Sequence, residues 1–180
     1  MKLVKALALL LVPLLLTSFL TVMPVAHADK PMPLNLMLRW EVSTGVFIDS
    51  WMTGPVEHHI WTGHYVFFAP DDTTYSCPLG YADPIFKGIM TPDGMWWSFS
   101  TYGAIIHIEN SCGGSTPLDD KTGDITANMA GGVKLPHYVW EFTSGTGDLV
   151  GIHGHGIYYI TGFDGVYAYY PFTGEIHFTG

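Results

Sequence analysis

The stretch SGTGDLVGIHGHGIYYI, Ser144–Ile160, decides the fold of this chain. Its glycines (Gly145, Gly147, Gly151, Gly154, Gly156) surround a short apolar core that carries His153 and His155. A phosphate-cradling loop, a metal site and a corner of β-structure all compete for it. The nucleotide reading fails. Gly145 and Gly147 have Gly-x-Gly spacing, but Gly151 follows four residues on instead of three, no helical pattern succeeds it, and no Walker lysine is present. As a metal site, His153 and His155 would share one face of an extended strand, with His58, His59, His64, His107, His137 and His177 available to complete a shell. No cysteine or carboxylate falls at a familiar ligand spacing, so surface or hydrogen-bonded histidines are the simpler account, and neither metal nor cofactor is expected. A β corner makes sense of every residue. Gly145 and Gly147 allow close backbone approach or positive φ, Leu149 and Ile152 are apolar anchors, and Gly154 with Gly156 reads as a bulge where the chain bends.

The N-terminus carries a different signal. MKLVKALALLLVPLLLTSFLTVMPVAHA has a positive start (Lys2, Lys5), an apolar run to about Val22, Pro24, and an A-x-A site at Ala26–Ala28, the layout of a secretory signal peptide. The run approaches the ~20 residues that span a bilayer, which leaves an uncleaved anchor as the alternative. Pro13 within the run and its small-residue exit favour cleavage after Ala28. The expected organisation is a signal peptide over 1–28 and one β-barrel domain over 29–180, secreted or at the periplasmic or outer side of the cell envelope, with no membrane span after cleavage. Roughly 150 residues then remain, enough for one core.

The formal charge of -9 becomes more negative once Lys2 and Lys5 are gone. This argues against nucleic acid and anionic lipid headgroups as partners, both of which need basic patches. Few Lys, Arg or Ala and much Gly, Tyr, Trp, Phe and Thr favour strands and tight turns over helices. In an exported chain the two cysteines, Cys77 and Cys112, read as one disulfide joining two turn-rich segments. Two free thiols in an unoxidised chain are the alternative.

Runs of β-formers separated by Gly/Pro/Asp clusters predict strands near Leu34–Val42, Val46–Trp51, Val56–Phe68, Ile85–Met90, Met95–Ser100 and Ala104–Glu109. Further strands are expected near Ile125–Met129, His137–Phe142, Asp148–Ile152, Gly156–Thr161, Val166–Tyr170 and Glu175–Phe178. TPDG, GFDG and PFTG supply turns. Many short strands at this spacing mean an all-β sandwich or barrel. In Val56–Phe68, one face carries Glu57, His59, Trp61, Gly63, Tyr65 and Phe67, and the other His58, Ile60, Thr62, His64, Val66 and Phe68.

FTSGTGDLVGIHGHGIY resembles the Gly-Thr-Gly-x-Leu-x-Gly-hydrophobic-x-Gly-x-Gly signature of the allene oxide cyclase-like and dirigent-like barrel superfamily, which has a bacterial branch of unassigned function. FKGIMTPDGMWWSFSTYGA resembles an earlier hairpin of that superfamily, and YPFTGEIHF its terminal strand. The resemblance implies a single antiparallel, calycin-like barrel of about eight strands with a central cavity, often assembled as a homotrimer. It also implies a site that steers a reactive intermediate by excluding water and fixing its conformation. By that analogy the polar groups of the cavity are Glu141, His107, Glu109 and Asp49.

A carboxylate among aromatics, as in HYVWEF, would have a raised pKa and could act as an acid. Alternation equally allows Glu141 to face solvent while Tyr138, Trp140 and Phe142 face in. His107 and Glu109 share a strand face and could act together or simply pair at a barrel mouth. No nucleophile signature is present. Trp61, Tyr65, Trp97, Tyr138 and Trp140 are the candidate ligand-binding residues, for a small hydrophobic molecule. Two functions are therefore expected to compete. One is an exported barrel that binds such a ligand and steers its cyclisation or coupling. The other is a structural surface protein that self-associates through aromatic outer faces, without catalysis.

Overall fold

A computed structural model of the chain describes residues 29–92, 96–109, 115–132 and 135–179. The expected signal peptide and Cys112 lie outside the described residues. Within them the regular structure is β-sheet and two short 3-10 turns, and no helix is long and apolar enough to cross a membrane. The strands are β1 (Met32–Glu41), β2 (Val46–Thr53), β3 (Val56–Thr62), β4 (Tyr65–Phe68), β5 (Pro78–Ala82) and β6 (Ile85–Met90). They continue as β7 (Trp96–Ile108), β8 (Gly123–Gly131), β9 (Tyr138–Gly145), β10 (Ile152–Tyr158), β11 (Gly162–Phe163) and β12 (Tyr167–Phe178).

All pairings are antiparallel, in the order β2-β3-β6-β7-β5-β4-β1-β12-β10-β9-β8, and a β7–β8 pairing closes the ring. The excess of short strands resolves through shared tracks. β1 and β2 are two halves of one track broken by the 3-10 turn Val42–Thr44. β3 and β4 break at Gly63–His64, and β5 and β6 at Asp83–Pro84. Merging these leaves the eight strands of a closed barrel, with β11 an adjunct to β12. Closure satisfies edges that a flat sheet would leave open.

Two expected breaks are absent. Gly103 is not a turn between strands but a bulge within the continuous β7: the register slips between Thr101 and Ala104 against β8, and Gly103 has φ +68. β12 likewise runs through Pro171. On one side its partner β10 ends with Tyr158 opposite Phe172, and β11 begins opposite Tyr169. Pro171 falls in the gap between them, where a missing N–H costs no ladder bond.

Alternation then sets the interior. Leu34, Leu36 and Leu38 of β1 are buried while Pro33 and Asn35 are exposed. The inward residues of β8, β9, β10 and β12 include Ile125, Ala127, Trp140, Phe142, Ile152, Phe172 and Ile176, all in the core. One end of the barrel is filled by these aliphatic and aromatic chains and capped by Leu118 and Leu149, each fully buried.

The opening stretch is a corner followed by a strand. Gly147 and Gly151 take positive φ (59 and 79) on either side of the 3-10 turn Gly147–Leu149. Gly154 and Gly156 do not bend the chain; they are inward positions of β10. A Cβ at Gly156 or Gly174 would stand 2.5 or 2.6 Å from the Trp140 ring. These glycines are the space in which the indole lies.

A satellite cluster sits outside the barrel. The Arg39 guanidinium is 4.2 Å from the Tyr167 ring centre, 4.8 Å from Phe68 and 5.4 Å from Tyr75, which fastens the 69–77 loop over the outer face. Cys77, at the end of this loop, is not a free thiol.

Candidate functional site

The end of the barrel opposite Leu118 is open inside. A cavity of about 380 Å³ is enclosed by inward residues of β1, β3 to β10 and β12 and bounded at its mouth by Val42, Gly45, Val46, Phe47 and Gly132. The walls are aromatic: Trp40, Trp61, Tyr65, Phe67, Phe86, Phe99, Tyr138, Tyr158 and Tyr170. The rings hold one another in place. Trp61 stacks on Phe86 (5.3 Å), Phe99 meets Phe86 and Tyr138 edge-on (5.7 and 5.0 Å), and Tyr138 meets Tyr158 (5.1 Å). Such offset and edge-on pairs make a stiff wall. Phe67 and Tyr158 pack on Phe172, which stacks on Trp140 at 4.5 Å, so Phe172 and Trp140 lie behind the cavity wall.

Four tyrosines supply the polarity. Burial, first of all, pushes Tyr65 well above the usual phenol range, and the neighbouring Tyr170, Tyr158 and Tyr138 push it further. Tyr158 and Tyr170 are raised for the same reasons, and Tyr138 by burial. The four phenols therefore stay neutral across the physiological range. No hydrogen bond is among the causes of any of these shifts. Among the described lining residues there is no Asp, Glu, His, Lys, Arg, Ser or Cys. Those walls can exclude water, stack on a planar molecule and offer neutral hydroxyls. They bring no nucleophile and no carboxylate.

Of the candidate ligand-binding residues, Trp61, Tyr65 and Tyr138 line the cavity together. Trp140 points inward but is spent on structure, its Nε1–H donating to the carbonyls of Ile157 (3.3 Å) and Thr173 (3.2 Å). Trp97 belongs to β7, and its side chain lies outside what is described. Trp40, Phe86, Phe99, Tyr158 and Tyr170 went unrecognised as lining. The signal for Tyr158 and Tyr170 was their shared parity with Ile152 and Phe172.

The polar candidates are elsewhere. Glu141 is exposed on the outer face, where Asn128 Nδ2 donates to it at 3.4 Å. His107 is also on the outer face, with its Nδ1 2.7 Å from Asp124 Oδ1, and Glu109 is exposed just past the end of β7. Asp49 is exposed on β2. None of these four borders the cavity. His153 and His155 project outward from β10, and His153 stacks on His177 at 5.7 Å. Among the described residues no group of three or more His, Cys, Asp or Glu could hold a metal ion.

A closed eight-stranded antiparallel barrel is the dirigent-type fold, and this chain has it. Two solved structures share it, the pterocarpan synthase dirigent proteins PsPTS1 and GePTS1. The first is 11% identical with a TM-score of 0.62, over 85% of this chain and 97% of that one. The second is 11% identical with a TM-score of 0.63, over 89% and 95%. At that identity the likeness is one of fold. No family model matches the sequence, nor does any curated protein.

Proposed function

We propose that this chain is an exported barrel that binds a small, neutral, largely aromatic molecule in the cavity and steers its cyclisation or coupling by holding it in one conformation away from water. The observation that carries the reading is the composition of the lining: a wall of aromatic rings with four neutral phenols and, among the described residues, no ionisable group of another kind. A site of this kind contributes shape, desolvation and orientation. The two structural neighbours, both pterocarpan synthase dirigent proteins, point the same way. Export follows from the N-terminal pattern, and with it a disulfide between Cys77 and Cys112.

Native mass spectrometry of the protein purified from an oxidising compartment, without refolding, tests this reading. A co-purifying organic mass that leaves on activation, together with the loss of two hydrogens for the disulfide, is the expected result. A bare chain that also fails to take up any added aromatic probe would overturn the binding role. The structural alternative draws on the exposed apolar residues of β2 and of the 159–166 segment, among them Phe47, Met52, Ile160 and Phe163. Such a surface is compatible with a ligand in the cavity.

A further inference from the structure

Given the binding role argued above, on which this step rests, we propose that the ligand is a hydrogen-bond acceptor, in class a bicyclic aryl ketone. Its carbonyl oxygen is held among the hydroxyls of Tyr65, Tyr138, Tyr158 and Tyr170.

The cavity wall is divided. Tyr138, Tyr158, Tyr170 and Tyr65 stand on β9, β10, β12 and β4, which with β1 form one unbroken run of the sheet. The other run, β3, β6, β7 and β8, contributes Trp61, Phe86, Phe99 and Met129, which carry no side-chain oxygen. Within the first run Tyr138 and Tyr158 are direct partners, with ring centres 5.1 Å apart, and Tyr158 and Tyr170 are 6.1 Å apart. Charge on Tyr65 would be opposed by Tyr170, Tyr158 and Tyr138, charge on Tyr158 by Tyr170 and Tyr138, and charge on Tyr170 by Tyr138. The four oxygens therefore share one region.

That region has donors and lacks acceptors. The polar atoms on the described lining side chains are phenol O–H groups, the indole N–H groups of Trp40 and Trp61, and the Met129 thioether. The phenol oxygens are the strongest acceptors among them, and each carries a donor of its own. None of the four hydroxyls has a hydrogen bond among the described residues. The shortage extends to Trp40, which stacks on Tyr65 at 5.9 Å: its Nε1–H is buried with no partner. Buried donors are ordinarily paired, so the missing component is an acceptor. A ligand hydroxyl would bring one more donor to this wall. A carbonyl oxygen brings none, and its two lone pairs can accept from two hydroxyls at once. Neutral donors aimed at a carbonyl draw charge onto its oxygen and leave its carbon more open to attack, which suits the steering of a ring closure. The cavity of about 380 Å³ has room for two fused rings, whose bare edge then lies against Trp61, Phe86 and Phe99.

Titration of the intact chain with 1-tetralone and with tetralin, one bicyclic skeleton with and without the carbonyl, tests the proposal, together with infrared difference spectra of the bound ketone. The carbonyl stretch of bound 1-tetralone should lie below its value in hexane. Tyr158→Phe and Tyr170→Phe should each weaken 1-tetralone about three- to tenfold, the size of one hydrogen bond, move the band back toward the hexane value and leave the affinity for tetralin unchanged. Their unfolding midpoints should not fall, because the deleted hydroxyls have no partner in the chain. Should a variant fail to fold, the wild-type band decides. A bound ketone whose band matches that in hexane overturns the proposal and leaves the binding role standing. Phe variants that weaken 1-tetralone and tetralin equally do the same. Failure of both probes to bind overturns the binding role, and the proposal with it.

Discussion

Trp140 lies across Gly156: a side chain at that position would stand 2.5 Å from the indole ring, whose N–H is bound to the main chain of Ile157 and Thr173. One large residue of β9 thus fixes the spacing of two neighbouring strands and backs the wall of the cavity. Trp140→Ala should cost about 3–5 kcal/mol, and Gly156→Ala about 1–3 kcal/mol by overpacking. Denaturant unfolding measures both. Combining the two should come close to their sum, because the alanine methyl would still meet the Thr173 backbone carbonyl, which stands nearer to that position than the ring does.

The same relationship shows where sequence reading stopped. Glycines at 154 and 156 look alike whether they bend a strand or vacate its inner face, and only the positions of Ile176 against Gly154 and of Trp140 against Gly156 distinguish the two. Alternation along Val56–Phe68 placed Trp61, Tyr65 and Phe67 on one face from the sequence alone, and that face lines the cavity. In HYVWEF, alternation separates Glu141 from its aromatic neighbours without saying which set is inside. The burial of Trp140 and Phe142 settles it. Pro171 and Gly103 read as breaks because a local pattern does not show that a partner strand ends opposite the proline or that a bulge absorbs the glycine.

The buried phenols should titrate late. Tyr65, Tyr158 and Tyr170 have folded pKa values raised chiefly by burial, while an unfolded tyrosine ionises near pH ~10. The unfolded chain therefore loses these protons first. Stability is complete below about pH 10 and falls as pH rises above it. Ultraviolet titration should show a fraction of tyrosines that ionise only as the circular dichroism of the fold is lost.

Asp164 should behave in the opposite sense. It accepts from the backbone N–H groups of Tyr167 (2.7 Å) and Val166 (2.9 Å) and from the Tyr169 hydroxyl (2.6 Å). These bonds, the Tyr167 amide first, hold its pKa down at about 2 and, with Asp164 as the leading cause, push Tyr169 up to about 12. The contribution of this turn is present above pH ~4, the ordinary carboxyl range, and is lost as pH falls through about 2. Carboxyl carbon shifts followed by NMR should show Asp164 among the last carboxylates to protonate, and Asp164→Ala should loosen the 162–167 hairpin without touching the cavity.

Ala82 borders the cavity between Tyr65 and Ile106. Ala82→Leu adds three carbons to that wall and should reduce the uptake of a bicyclic ligand at least tenfold, while overpacking lowers stability by about 1–3 kcal/mol. Glu141→Gln and His107→Gln, on the outer face, should leave uptake unchanged. A loss of binding in either would return the acid–base role to those residues.

The central claim is that the hollow end of the barrel is a site for a neutral aromatic molecule. Isothermal titration of the protein with 2-naphthol, and in parallel with decanoate, tests it most directly. The account predicts saturable one-to-one binding of the phenol that is lost in Ala82→Leu, and no binding of decanoate, since no cation among the described lining residues can receive its carboxylate. Binding of decanoate in place of the phenol, or binding of the phenol untouched by Ala82→Leu, would contradict it.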